Sequence, residues 1–391
     1  MENRRWRLQA ARGLVAAAIV VAALGASVAS AQMKVGVVTS ATGPTAFVGI
    51  PQKNAVALLP RRIGDVDVEY AYFDDASDPG QTVQIFRKLL GEQKVDAIIG
   101  PSGSPNGIAV VPLVAEASTP LLAPVGTPAV VLPMDDRKRW VFKTTQNDDL
   151  IAEALVGHMA KTGVKTVGII GLNDPYGDSW NRAFVPLAEA AGLKIVDNER
   201  FARTDQSVTG QAIRLVAANP DAILVAAAGG PTVLPHVSLV EHGYKGRIYQ
   251  THGAATPDFI RLGGASVEGA IMAASPILVL DQVGAGVASR KVAEEFIAAY
   301  RKEYGASPAT FAANVYDAGL MLQRAVPDAL KKGRPGSLEF RAALRDALEA
   351  TRDLVGTQGV YNLTPQDHSG FDARGRVLMQ LKGGRWVLLA D

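Results

Sequence analysis

The feature that most limits how this chain can fold is a rhythm. Short apolar runs alternate with longer segments of helical periodicity, and the sequence passes through that rhythm twice. Such alternation is the pattern of βαβ units, in which crossover helices cover the faces of a parallel sheet. "MKVGVVTS" reads as a strand, "GIPQKNAVALLPRRIG" as a helix, "VDVEYAYFDD" as a strand, "PGQTVQIFRKLLGEQ" as a helix opened by Pro79, and "VDAIIGPS" as a third strand. "NGIAVVPLVAEAS" then predicts a helix and "TPLLAPVGT" a fourth strand. After Phe142 the rhythm restarts: helices in "DLIAEALVGHMAKTG", "GDSWNRAFVPLAEAAG", "TGQAIRLVAANP" and "TVLPHVSLVEHGY" alternate with strands in "TVGIIGLND", "LKIVDNERF", "DAILVAAAGG" and "GRIYQTHGA". Beyond residue 288 the chain is helix-rich with no comparable strand series, so those helices must cover sheets already built. The predicted fold class is α/β, two Rossmann-like halves with parallel-sheet cores. No Ser/Gly linker or charge block separates the halves, which points to a chain that crosses between them more than once.

The first 31 residues read as a signal peptide. Arg4, Arg5, Arg7 and Arg12 form a basic region, Gly13 to Leu24 an apolar run too short to span a bilayer comfortably, and Ala29-Ser30-Ala31 a small-residue cleavage site, so the mature chain should begin at Gln32 in the periplasm. Losing the leader removes four arginines and Glu2, which moves the formal net charge from +2 to −1. A nearly neutral mature chain offers no electrostatic footprint for nucleic acid. Cysteine is absent, which rules out disulfides, thiolate metal sites and a Cys nucleophile.

The stretch "IIGPSGSPNGIAV" (98–110) admits two readings. An apolar strand ending in small residues before a helix can expose backbone N–H groups and a hydroxyl to an anion, or can be an ordinary turn. Enzymatic signatures are missing: no G-x-G-x-x-G follows the first strand, and no Walker loop or G-x-S-x-G elbow occurs. His158, His236, His242, His252 and His368 show no metal-binding spacing, and Asp74-Asp75 reads as a cap for the following helix. The chain is therefore expected to be no enzyme and to need no cofactor or metal.

"MKVGVVTSATGPTAFVG", "YAYFDDASDPGQTV", "GPSGSPNG", "PLLAPVGT", "GLNDPYGDS" and "ANVYDAG" occur in an order and at spacings that resemble the type I periplasmic binding proteins, and more narrowly the leucine/isoleucine/valine-binding branch that serves ABC importers. The resemblance covers essentially the whole mature chain. It implies two lobes joined by three hinge crossings, placed near Thr145, Ser275 and Gly370, with residues 32–145 and 276–370 in the first lobe and 146–275 and 371–391 in the second. It also implies a monomer working with a membrane permease, or else with a membrane receptor as a sensor.

By the same resemblance a ligand carboxylate would meet the Ser104 hydroxyl, backbone N–H groups around Pro105 and Asn106, and Thr127 with the Val125-Gly126 backbone. Pro105 itself has no N–H to give. Phe47 and Val48 would touch the ligand's apolar tail. Tyr176, Gly229, Gly230 and His252 would close over it from the second lobe, although each also has a plain structural reading as a packing or loop residue. Where the amino-acid binder carries a disulfide between the "DDASDP" segment and the "GPSG" turn, Ser77 and Gly103 stand here, so packing is expected to hold the turn. The "QTHGAAT" loop offers no acid before Asp258 to meet a ligand ammonium, and Asp317 and Tyr316 are ambiguous between cleft and hinge. That departure shifts the expected ligand toward small hydrophobic carboxylates without an α-amino group, aromatic acids foremost, with branched-chain amino acids and amide or urea compounds as alternatives.

Overall fold

The computed structural model describes residues 32–389, so the leader and its cleavage after Ala31 lie outside the described residues. The first sheet is built from β1 (Gln32–Thr39), β2 (Arg62–Ile63), β3 (Val66–Asp74), β4 (Ala97–Ile99), β5 (Leu121–Ala123) and β6 (Val141–Lys143), in the order β2-β3-β1-β4-β5-β6. All its pairs are parallel except the short β2–β3 hairpin. Strand β1 shows why the segment folds this way. Met33, Val35 and Val37 point to one core and Val38 to the opposite one, the period-two burial of a central strand covered on both faces. Helices α1 (Ala46–Ala55), α2 (Pro79–Arg87) and α3 (Ser104–Glu116) follow the strand ends.

The second sheet takes over after α4 (Asp148–Lys161). It comprises β7 (Thr166–Leu172), α5 (Pro175–Ala190), β8 (Lys194–Phe201), α6 (Thr209–Ala218), β9 (Ala222–Ala226), α7 (Val233–Glu241), β10 (Arg247–Gln250), α8 (Pro257–Gly263) and β11 (Ile271–Ala274). Long helices α9 (Arg290–Tyr304), α10 (Thr310–Leu330) and α11 (Leu338–Glu349) come next, then a small ribbon of β12 (Leu354–Val355) and β13 (Val360–Tyr361). The chain ends in β14 (Val377–Lys382) and β15 (Arg385–Leu388), which extend the second sheet to the order β15-β14-β11-β10-β9-β7-β8.

The sequence reading did not place β2, β6, β11 or the strands after α11. β6 and β11 are only "VFK" and "IMAA", too short to carry a period, and their pairing comes from neighbours distant in sequence. The final hairpin carried a usable signal, because Gly383 and Gly384 both take positive φ at a two-residue turn between alternating apolar runs.

The chain passes between the sheets three times. The first passage is the four residues between β6 and α4. The second lies beyond the expected Ser275: residues up to Val283 remain on the second sheet, where Gln282 Nε2 donates to the Trp386 carbonyl at 3.0 Å and accepts through Oε1 from Leu388 N–H at 2.8 Å. The third lies between β13 and β14, where Gln146 Nε2 donates to the Gly375 carbonyl at 2.6 Å and so ties the first and third passages together. Helix α9 has joined the first lobe, with Asn54 donating to Tyr300 Oη at 3.1 Å and Tyr304 Oη donating to the Asn54 carbonyl at 2.7 Å. No helix among the described residues is long and apolar enough to cross a membrane.

The second-lobe core depends on aromatic fill from α5, where Trp180 and Phe184 are fully buried. Phe184→Ala should cost about 3–5 kcal/mol in unfolding free energy, whereas Ile213→Ala, on the exposed face of α6, should cost no more than about 0.5 kcal/mol. Urea midpoints of the two variants check this; similar midpoints would remove Phe184 from the core account.

Candidate functional site

The carboxyl ends of both sheets face one another, the place where open α/β sheets put their ligands. Between them lies a narrow cavity of about 30 Å³. Thr45, Val48, Ser102, Gly103, Ser104, Pro124, Gly126 and Thr145 line it from the first lobe and its passage, Phe311 and Asn314 from α10, and Tyr176, Arg203, Ala228, His252 and Gly253 from the second lobe. Wider grooves open elsewhere on the surface, such as that lined by Ile260, Leu278, Ile297 and Trp386, away from these strand ends.

On the first-lobe wall, Gly103 is extended and Ser104 begins α3, so the Ser104 N–H and hydroxyl stand at the cavity at the head of the helix. Ser104 is buried and its Oγ has no hydrogen-bond partner in the protein. A buried hydroxyl without a partner is costly unless a ligand or water answers it. Gly126 also lines the cavity, and any side chain there would meet Asp148 Oδ1 at 2.6 Å and His252 Nε2 at 2.9 Å.

Several expected residues serve the walls instead. Asn106 turns away from the cavity and donates to Asp75 Oδ2 at 3.0 Å and Thr82 Oγ1 at 2.7 Å. Thr127 is fully buried and its Oγ accepts from Ala129 N–H at 3.2 Å, capping the turn that follows. Val125 packs in the first-lobe core beside Gly107, and Pro105 is half-buried one position past the cavity wall. Phe47 lines a separate outer groove with Arg203, Gly230 and Pro231. Gly229 and Gly230 face Pro44, Val48 and Phe47 across the mouth, so these glycines are where the two lobes touch; Gly229 takes φ +70° there.

The turn that lacks a disulfide is held by a polar network rather than by packing. Asp75 is fully buried and accepts from Ser40 Oγ at 2.6 Å, Ser77 N–H at 3.0 Å, Thr82 Oγ1 at 3.0 Å and Asn106 Nδ2. Helix α2 is capped by Asp78, whose carboxylate accepts from Gln81 N–H at 2.6 Å, and not by the Asp74-Asp75 pair.

In the second lobe, Asp174 caps α5 by accepting from Tyr176 N–H at 2.8 Å and Gly177 N–H at 3.2 Å, which delivers the Tyr176 ring to the cavity. The Tyr176 hydroxyl donates to Thr251 Oγ1 at 2.9 Å, which in turn donates to the Ala227 carbonyl at 2.7 Å. Burial, and next the Asp148 charge, raise the Tyr176 pKa, so the hydroxyl keeps its proton. Arg203 grips Asp174 through Nε and Nη2 at 3.0 and 2.6 Å and donates Nη1 to the Ala228 carbonyl at 3.2 Å.

Behind the cavity lies a buried charge cluster that the sequence did not announce. Lys143 is fully buried, and its Nζ donates to the carbonyls of Gly126 at 2.5 Å, Thr127 at 3.3 Å and Gln146 at 3.4 Å. Asp148, equally buried, accepts from Ser179 Oγ at 2.6 Å. Burial pushes the lysine's pKa down and the aspartate's up, and each partner's charge opposes that push on the other. His252 Nε2 sits 3.7 Å from Asp148 Oδ1. Burial first, and the Lys143 charge second, lower the His252 pKa to about 3, which leaves the imidazole neutral. The one visible signal was a lysine inside the apolar run "WVFKTT". No cluster among the described residues has the make-up of a metal site.

The sequence profile of the periplasmic binding protein family matches residues 32–387. The chain belongs to that family. It is similar to an extracellular ligand-binding receptor from Rhodopseudomonas palustris HaA2, with 43% identity over 92% of this chain and 100% of that one and a TM-score of 0.89. It is also 28% identical over 210 residues to the Leu/Ile/Val-binding protein BraC3 of Rhizobium johnstonii, covering 51% of this chain and 55% of that protein. The chain thus spans little more than half the length of that curated relative. A leucine-binding protein of Thermotoga maritima shares the fold at 23% identity, with 92% and 98% coverage and a TM-score of 0.79.

Asp317 and Tyr316 lie outside the cavity lining. The Asp317 carboxylate accepts from Thr357 N–H at 2.8 Å and Tyr361 Oη at 2.9 Å, and that tyrosine is also 3.2 Å from the Thr144 carbonyl in the first passage. Burial raises the Asp317 pKa from 3.8 to about 6. The native state therefore holds a proton that the unfolded chain has released, so this group's contribution to stability is present below about 3.8 and declines as pH rises through about 6. Asp317→Asn should gain on the parent by on the order of 2 kcal/mol between pH 4 and pH 7 in urea unfolding. A difference that stays constant with pH would contradict the assignment.

Proposed function

We propose that this periplasmic binding protein is the solute-binding component of an ABC importer, working in the periplasm with a membrane permease, and that it captures a small hydrophobic carboxylate by closing its lobes. One contrast carries the reading. The cavity presents an unpartnered buried hydroxyl, Ser104 Oγ, at the N-terminus of a long helix, while no aspartate or glutamate side chain lines it. A carboxylate finds donors there and an α-ammonium finds no anionic partner. Val48, Pro124 and Phe311 supply apolar wall, and the exclusion of water on closure strengthens each polar contact.

The names of the Leu/Ile/Val-binding relatives favour a second reading, a branched-chain amino acid whose ammonium is met by backbone carbonyls. A thermal-shift screen of benzoate, 4-methylpentanoate, leucine, isoleucine and valine separates the two, because a ligand at a hundred times its dissociation constant adds about 2.7 kcal/mol of stability. The deaminated acids are expected to shift the melting temperature most. A strong shift with leucine or valine and none with the other acids would return the protein to amino-acid binding. Ser104→Ala should weaken binding of the best acid by about 1–3 kcal/mol in calorimetry, and unchanged affinity would remove Ser104 from the site.

A further inference from the structure

The second-lobe wall holds a polar atom that the carboxylate reading does not use. His252 lines the cavity, is only 7% exposed, and its Nδ1 has no hydrogen-bond partner in the protein. Its other nitrogen faces Asp148 Oδ1, an atom that also lacks a hydrogen-bond partner. At 3.7 Å the carboxylate acts on Nε2 through its charge rather than a hydrogen bond, and that charge favours the neutral tautomer with its hydrogen on Nε2 and a lone pair on Nδ1. The Trp180 ring, its centroid 5.8 Å away, packs against the imidazole and holds it in place.

That lone pair constrains the ligand, because a buried acceptor left without a donor costs affinity. An ammonium is one possible donor, but the electrostatics of the wall oppose it. The Asp148 charge is already answered by Lys143, whose own charge acts on His252, and Arg203 stands on the same lobe with both arms engaged. A neutral donor meets the lone pair without adding a third positive charge. Resting on the carboxylate reading above, we infer that the natural ligand is a hydroxy acid: its carboxylate meets the Ser104 wall and its hydroxyl donates to His252 Nδ1. Asp148 acts here as a positioning residue, since it sets the tautomer without touching the ligand.

Calorimetry on the full mature chain tests this with two matched series. One comprises 4-methylpentanoate, 2-hydroxy-4-methylpentanoate and leucine; the other comprises benzoate, 3-hydroxybenzoate and 4-hydroxybenzoate. In at least one series the hydroxy acid should bind about 10-fold or more tighter than its parent acid, as expected for a hydrogen bond gained at a buried acceptor. Leucine should bind more weakly than its hydroxy counterpart. In His252→Phe, which keeps a ring but removes the acceptor, the ratio of hydroxy acid to parent acid should fall to about one, and His252→Gln, which restores an acceptor, should recover part of it. Parent acids that bind as tightly as their hydroxy counterparts would overturn the inference while leaving the carboxylate reading intact. So would a hydroxyl preference that survives in His252→Phe, or leucine binding tighter than its hydroxy counterpart. If no acid of either series binds, the carboxylate reading itself fails and the inference falls with it.

Discussion

A lysine ammonium with no access to water sits where the chain leaves its first sheet, and much of the cleft is arranged around it. Lys143 ends β6, and its Nζ gathers carbonyls from the cavity loop and from the first passage while Asp148, the opening residue of α4, supplies the opposing charge. Removing both charges from water costs several kcal/mol per ion, so such a pair persists only where geometry and further hydrogen bonds offset the loss. The three carbonyls and the Ser179 hydroxyl meet that requirement. One consequence is that the Gly126 backbone, which faces the cavity, is held by the same group that marks the junction between the lobes. Breaking the pair by removing one partner would leave an uncompensated buried charge against the ligand wall.

The passages between the lobes are tied to each other as well as to their own sheets. Gln146 reaches from the first passage to the third at Gly375, and Tyr361 bridges the first passage to Asp317 on α10. The lobes also touch across the mouth, where Gly229 and Gly230 meet the Pro44–Val48 segment. Motion about the passages would separate that contact and expose the Ser104 wall, whereas the core contacts of α9 with α1 stay within one lobe. In the proposed hinge closure, a few connecting residues would absorb the change while the packed cores move as bodies.

Much of this was legible in the sequence because it depends on local pattern. Strands such as β1 and β9 are apolar runs of ordinary length, and α2 and α5 open on proline after an acidic cap. Ser104, Tyr176 and His252 were reachable through the family resemblance, which places each after a strand end, and all three line the cavity. Thr127 and Asn106 stand at equally suggestive positions, yet their side chains are used by Ala129 N–H and by Asp75, a choice set by neighbours that no local pattern reveals. Lys143, Asp148 and Arg203 were missed for the same reason. Each reads locally as a strand edge, a helix start or a loop, and only long-range packing buries Lys143 and Asp148 and brings Arg203 to the cavity. The disulfide-free turn teaches the same lesson, since the residue that replaces the crosslink is Asp75, thirty-one positions from its Asn106 donor.

The account stands on two lobes that close over a ligand at the Ser104 and His252 walls. Small-angle X-ray scattering of residues 32–391, alone and saturated with the acid that gives the largest thermal shift, tests that most directly. The account predicts a smaller radius of gyration in the liganded sample. An unchanged radius at saturation would contradict hinge closure as the means of capture.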